Sequence, residues 1–311
     1  MTSELDKELI ESYRGGRALQ DQSVTWELED FCKSTTAWKG FFKADGSSGL
    51  HNVFISSMVD WIQDNKRNNI IGIDHFHHAS MTNGTTEAFQ MFMMRHNNRH
   101  FRFLKGDFMM HKVASNVMGN KWDWIHYADE IKVGQAVIIS CPFSDFGAEH
   151  EQMEELLNTC DRLNVPVLVD MAYFGMCHDI EIDLTHKCIE EVTFSLGKTF
   201  PIIGARAGIR LQKQLVDDAV LFANQHGIVN NFGALIGLTC VENWTSDFIV
   251  AKYKETQLAV CKALKVKPSK CIIFATSEDE LWAPLNRGNH SSRLCIAKDI
   301  EIEYDYTTDN N

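Results

Sequence analysis

Few sharp breaks and few loud signatures mark this chain of 311 residues: it has only five prolines, no C-x-x-C pair among its nine cysteines, and fewer basic than acidic residues. Scarce proline removes the firmest punctuation between elements, so domain limits have to be read from changes in hydrophobic pattern. Without C-x-x-C spacing there is no zinc-type ligand set. The cysteines, at 32, 141, 160, 177, 188, 240, 261, 271 and 295, read as reduced core thiols, and no metal site is expected. Thirty Lys and Arg against 42 Asp and Glu, a formal net charge of −12, exclude a sequence-independent nucleic-acid binder, which needs clustered cations to neutralise phosphates. No run approaches the ~18 apolar residues of a membrane span, and the opening MTSELDKELIESYRGGR has no apolar signal-peptide core, so a cytoplasmic protein is expected.

What is present is an ordinary globular composition, 44% hydrophobic, enough for a sizeable core. Residues 1–50 mix acidic and aromatic positions without clear periodicity and read as an N-terminal arm plus part of a small domain. From Leu50, the positions of Val53, Phe54, Met58, Trp61 and Ile62 predict an amphipathic helix. A short apolar segment then meets Asn83-Gly84, and a helix is predicted to start at Thr85 or Thr86 with Glu87 in its first turn. AVIISC from Ala136 and PVLVD from Pro166 read as buried strands, and Met153, Leu156, Leu157, Cys160 and Leu163 share a helical face between them. Such a strand–helix–strand unit favours a parallel sheet covered by helices, which EVTFS from Glu191 and RAGIRL from Arg206 continue.

Beyond Leu211 the pattern is helical to about Lys265. CIIFATS from Cys271 and SRLCIA from Ser292 read as strands of a smaller unit, and IEIEYDYTTDNN from Ile300 as a strand fraying into a solvated tail. The expected organisation is a large domain over 51–240 and a C-terminal small domain over 241–311. In the histidine-rich DHFHH, alternation sets Asp74, Phe76 and His78 on one side and His75 and His77 on the other, too few ligands for a divalent metal.

The stretch TFSLGKTFPIIGARAG, from Thr193, contains a G-K-T that could belong to a nucleotide-binding loop. That loop requires G-x-x-x-x-G-K-[ST], and the position of its first glycine holds Val192, inside a predicted strand. Phe200-Pro201 follows the lysine where a phosphate-holding helix should begin. A P-loop hydrolase therefore remains only a minor alternative.

Several pieces of sequence agree on another reading. DMAY (Asp170 to Tyr173) ends a buried strand, SLGK (Ser195 to Lys198) follows the next, and Arg206 in GARAG lies eight residues past the lysine. In order and spacing these resemble the fold-type I pyridoxal-phosphate enzymes, class I/II aminotransferase family, over roughly Phe41 to Ala297. The resemblance implies an α/β fold: a three-layer αβα large domain with a mainly parallel sheet, plus a smaller α+β domain. It also implies a homodimer acting on small amino-acid and keto-acid substrates, with no nucleic-acid or membrane partner.

For the cofactor, pyridoxal 5′-phosphate, the resemblance implies that Lys198 forms the Schiff base and then carries the Cα proton. Asp170 would pair with the ring nitrogen and Tyr173 with the phenolic oxygen. Gly84, Thr85 and Thr86, at a helix start, would hold the phosphate with Ser195 and Arg206. Phe108 would stack on the ring, His111 would support Asp170, and Arg293 would clamp the substrate α-carboxylate. Taken singly, each has a plainer reading as a helix cap, a core aromatic or a surface charge.

Two departures stand out. The family carries N-P-x-G, with its asparagine on the cofactor's phenolic oxygen, where this chain has Ser144 and Asp145 in PFSDFG, so the Ser144 hydroxyl is expected to bind the cofactor with a single hydrogen bond. At Phe41-Phe42, many members supply a tyrosine hydroxyl to the partner subunit's phosphate, which phenylalanine cannot do. Transamination is the expected reaction. Elimination or replacement at Cβ or Cγ, decarboxylation, cyclisation and a catalytically silent relative are the alternatives.

Overall fold

The computed structural model describes residues 4–34, 38, 41 and 49–309. The opening segment, which shows no periodicity in sequence, folds as helices α1 (Glu4–Ser12) and α2 (Gln22–Lys33). Asp21 is the reason α2 starts where it does: its Oδ1 accepts the Val24 N–H at 3.0 Å. Its Oδ2 accepts from Lys252 Nζ at 2.7 Å and Tyr253 OH at 2.8 Å, so one buried carboxylate both caps a helix and fastens the N-terminal segment to the far end of the chain. Phe42 lies outside the described residues, and Phe41 sets its ring edge-on to Trp38.

Helix α3 (Leu50–Gln63) forms as its spacing predicts and buries Phe54, Met58, Trp61 and Ile62, while Val53 faces outward. Strands β1 (Asn69–Ile71) and β2 (His78–Asn83) follow. Between them Ile73–His75 make one turn of 3₁₀ helix, so strand alternation does not govern the DHFHH cluster as the sequence reading assumed. Next come α4 (Thr85–Arg95), β3 (His100–Leu104), α5 (Met109–Met118), β4 (Trp122–Ile125) and β5 (Gln135–Ser140). Then α6 (Met153–Leu163), β6 (Val167–Met171), β7 (Glu181–Asp183), β8 (Ile189–Ser195) and β9 (Ala207–Gln212) complete the central part.

Seven strands form one sheet in the order β2-β9-β8-β6-β5-β3-β4. All are parallel except β9, which runs against both neighbours. Strands β5 and β6 are buried along their whole length, as expected of apolar strands covered on both faces. Their register pairs Ser140 with Asp170, and β6 against β8 pairs Asp170 with Thr193, so the carboxyl ends of three strands finish side by side.

The rest of the chain adds α7 (Ala219–Gln225), α8 (Asn231–Asn243) and α9 (Phe248–Leu264), then β10 (Lys267–Pro268), β11 (Phe274–Ser277), β12 (Ser292–Cys295) and α10 (Ala297–Asp309). Strands β10, β11 and β12 make a small antiparallel sheet, while β1 and β7 pair in parallel. The acidic ending is thus helical, not the fraying strand its Ile-Glu-Ile-Glu alternation suggested. Ile300 is buried and Ile302 is 60% exposed, whereas Tyr304, one helical turn from Ile300, brings its ring within 4.8 Å of Tyr253 on α9. Contacts four residues apart along one face outweigh the period of two.

No described helix is long and apolar enough to cross a membrane. Eight of the nine cysteines are buried free thiols, with Cys32 exposed, so the core-thiol expectation holds for all but one.

Candidate active site

The predicted residues converge where the strands end. Lys198 sits in the turn after β8, half-buried, and donates to the Gly16 carbonyl at 2.6 Å, with its ammonium 5.8 Å from the Tyr173 ring centre. Among the described residues no carboxylate pairs with it. Burial pushes the amine's pKa below the ordinary lysine range, and the Arg293 and Arg206 guanidiniums push in the same direction. No helix follows: the chain turns through Phe200-Pro201 into a 3₁₀ turn at Ile203–Ala205, which leaves Lys198 outside any phosphate-loop geometry.

Asp170, at the end of β6, is buried. Its Oδ2 is 3.4 Å from His111 Nε2 and accepts from Thr85 Oγ1 at 3.2 Å, while Oδ1 accepts the Ala172 N–H at 3.1 Å. His111 thus touches Asp170, as the resemblance implied. Phe108 begins α5 and sets its ring edge-on to His111 with 5.5 Å between centres. Tyr173 is buried, its phenol pushed well up by that burial.

Gly84 opens α4 at φ 71°, ψ −179°, and no side chain caps the helix there. A Cβ at Gly84 would lie 2.8 Å from Arg206 Nη2, so glycine is needed for the approach as well as for the positive φ. Arg206, itself left-handed at φ 56°, donates through Nη2 to the Asn83 carbonyl at 2.9 Å and to Thr86 Oγ1 at 3.4 Å. Among the described residues it has no ion pair. Ser195 Oγ donates to the Ala207 carbonyl at 3.4 Å and accepts the Gly197 N–H at 3.3 Å. The uncapped start of α4, the Thr86 hydroxyl and Arg206 thus gather as an anion cradle, while the Thr85 hydroxyl, expected on the phosphate, turns to Asp170 instead.

On the opposite side, Arg293 on β12 is buried and donates through Nη2 to the Gly15 carbonyl at 2.6 Å and through Nη1 to the Ser144 carbonyl. It lies over the Phe274 ring at 4.3 Å, and its Nε has no partner. Ser144 is buried, and its N–H donates to Ser140 Oγ at 3.0 Å.

Three contributors escaped sequence reading. The Gly15-Gly16 turn supplies carbonyls to both Arg293 and Lys198. A Cβ at Gly16 would stand 2.6 Å from the Tyr173 hydroxyl, so only glycine fits. Buried Asp107 accepts from Phe108 N at 2.6 Å, from Ser140 N at 3.1 Å and from Ser140 Oγ, fixing the turn that presents Phe108. Arg287 reaches the Ser144 turn from a distant loop. Apart from the doubled glycine in RGGR, nothing local marks any of them.

With this geometry in view, comparison with known proteins is decisive at the level of family. The family model described as aminotransferase class I and II matches residues 107–268, more than half the chain. The chain belongs to that family, whose members depend on pyridoxal phosphate. Among solved structures it is similar to an aspartate aminotransferase from Thermotoga maritima, at 15% identity and a TM-score of 0.63, with 98% of this chain and 95% of that one covered. It is also similar to a histidinol-phosphate aminotransferase from Clostridium acetobutylicum (12%, TM-score 0.63, 96% and 99% covered). A C-S lyase from Staphylococcus hominis is a third (10%, TM-score 0.65, 99% and 93% covered). No curated protein sequence gives a significant match.

Proposed function

We propose that the protein is a pyridoxal-phosphate-dependent aminotransferase that moves an amino group between an α-amino acid and an α-keto acid. One observation carries the reading: the Lys198 amine is half-buried with depressed basicity and, among the described residues, has no carboxylate partner and is held by a peptide carbonyl. A structural lysine in such a place would be paired.

The residues fit the cofactor. The uncapped start of α4 with Arg206, Thr86 and Ser195 suits a phosphate dianion, and the buried Asp170 carboxylate, braced by His111 and Thr85, suits a protonated ring nitrogen. When bound, pyridoxal phosphate supplies an electron sink for charge developing at the substrate Cα. Lys198, once displaced by the substrate amine, would take the proton from the substrate Cα and return it to the aldehyde-derived carbon of the cofactor, a task its lowered basicity suits. Asp170 keeps the proton on the ring nitrogen. Phe108 would lie against the cofactor ring, and Tyr173, kept protonated by burial, would offer its hydroxyl hydrogen to the phenolic oxygen. Arg293 fixes the substrate carboxylate, which selects the bond at Cα that lies across the ring.

We infer further that residues 51–240 form the cofactor domain and 241–311 the C-terminal small domain, and that the protein works as a homodimer. The exposed apolar side chains Ile203, Ile228 and Phe232 support a face covered by a second copy.

Borohydride reduction of the cofactor-loaded protein followed by peptide mapping tests the attachment, with a modified Lys198 expected; an unmodified Lys198 in folded, loaded protein ends the proposal. Elimination is the second reading, favoured by Ser144-Asp145 in place of Asn-Pro. An amino donor that converts the bound cofactor to its amine form supports transfer. Keto acid and ammonia released without an acceptor support elimination.

A further inference from the structure

Two cations meet at one carbonyl in the cleft. Arg287 Nη1 and Arg293 Nη1 both donate to the Ser144 carbonyl, the first at 3.2 Å, and Arg287 Nη1 also reaches Ser144 Oγ at 3.3 Å. Arg287 Nη2 donates to the Asp107 carbonyl at 2.7 Å, so the guanidinium bridges the turn before Phe108 and the turn holding Ser144. Its loop is braced: Asn289 Nδ2 donates to Asp145 Oδ2 at 2.5 Å and to the Lys105 carbonyl at 3.0 Å, and Asn286 Nδ2 donates to the Asn289 carbonyl at 2.8 Å.

The charges do not balance. Among the described residues, Asp145 is the one carboxylate within ion-pair distance of either arginine, 3.7 Å from Arg287 Nε. Its Oδ1 has no hydrogen-bond partner, and burial raises its pKa, which weakens it as a counter-charge. Like charges crowded out of water are unfavourable unless anions arrive between them. The proposed reaction brings two: the substrate carboxylate, for which Arg293 is placed, and the phenolic oxygen of the cofactor. The family serves that oxygen with an asparagine amide, and Ser144 stands at the corresponding position here. A hydroxyl carries a single donor hydrogen and no charge.

We propose that Arg287, braced on Ser144, supplies the positively charged hydrogen-bond donor for the cofactor's phenolic oxygen in place of the absent asparagine amide. This rests on the pyridoxal-phosphate reading above. Arg287 is accordingly a cofactor-contacting and charge-setting residue recruited from the loop before β12. The Ser144-Asp145 departure and the arginine loop then form one compensated unit: Ser144 makes room for and anchors the guanidinium, and Asp145 with Asn289 holds the loop down.

The test is a pH titration of the visible absorbance of the bound cofactor in wild type, Arg287→Met, Arg287→Lys and the double variant Arg287→Met/Ser144→Asn. A neighbouring cation disfavours protonation of the nitrogen that joins Lys198 to the cofactor, so its loss raises the midpoint, by about one unit or more for a charge at this range. Arg287→Met is expected to show that rise, Arg287→Lys to stay near wild type, and Ser144→Asn to bring the midpoint of the Met variant back down. A midpoint unmoved in Arg287→Met, or unrescued by the asparagine, overturns the inference. Should Arg287→Met not fold, Arg287→Gln replaces it: a raised midpoint supports the charge role and an unmoved one refutes it. Wild-type protein that takes up no cofactor at Lys198 refutes the underlying reading as well, and shows this before any variant is made.

Discussion

Two buried arginines, Arg210 in the large sheet and Arg293 in the small one, illustrate different uses of the same side chain. Arg210 on β9 is fully buried and makes a two-pronged pair with Asp218, at 2.5 and 2.6 Å, while Asp218 also caps α7 through the Leu221 N–H at 2.9 Å. Arg293 is 8% exposed, yet among the described residues its guanidinium meets carbonyls and an aromatic face and no carboxylate. The first cation is neutralised within the fold and serves cohesion. The second keeps its charge uncancelled, as does Lys198, and so stays free to receive an anion from outside.

Breaking the unpaired set should damage chemistry, and breaking the paired set should damage stability. The largest effect is expected for Lys198→Ala, which should lower turnover by at least about 10² to 10⁴-fold with little change in the urea midpoint; wild-type-like turnover would remove Lys198 from the mechanism. Next, Asp218→Ala leaves Arg210 buried and alone and should cost about 3–5 kcal/mol of folding stability, read from denaturant unfolding, with cofactor uptake intact. Arg293→Met should cost about 2–5 kcal/mol of substrate binding, seen as a raised KM. Folding stability should fall far less than in Asp218→Ala, since no buried counter-charge is stranded.

The smallest effects sharpen the contrast through pH. For Asp218, burial alone would raise the carboxyl, but the Arg210 hydrogen bonds, the Leu221 N–H and the Arg210 charge outweigh it and the pKa is lowered. Its folded pKa lies below the unfolded one, so its contribution is present above the ordinary aspartate range and lost as pH falls through the folded value. Asp145 has the opposite sign. Burial raises its pKa, so the folded state gains relative stability as pH falls through that value, and at neutral pH the ionised carboxylate is a liability. Asp145→Asn should therefore lose the rise in urea midpoint that wild type shows as pH falls through the Asp145 range; a rise that persists in the variant would reverse the assignment.

The sequence displayed the site's strand-borne residues well. Asp170 lies near the end of one buried apolar strand, Ser195 ends another and Lys198 follows it, in patterns that are local, and Gly84-Thr85-Thr86 opens a helix with its own start signal. What stayed hidden depends on contacts between distant positions. Gly16 meets Lys198 across 182 residues and Arg287 meets Ser144 across 143, and no local period encodes either meeting. The C-terminal helix was misjudged because an alternating run is ambiguous until its neighbour is known: Tyr253 on α9 selects the face that holds Tyr304.

Pairing of Ser140 with Asp170, and of Asp170 with Thr193, has a consequence for how this gene can change. Side chains on a strand point alternately up and down, so inserting or deleting a single codon within Val167–Met171 would turn Asp170 toward the opposite helical layer. The same edit in the loop at 213–217 shifts no partner in the cleft. Length variation is therefore excluded from β6 and tolerated in the loop at 213–217.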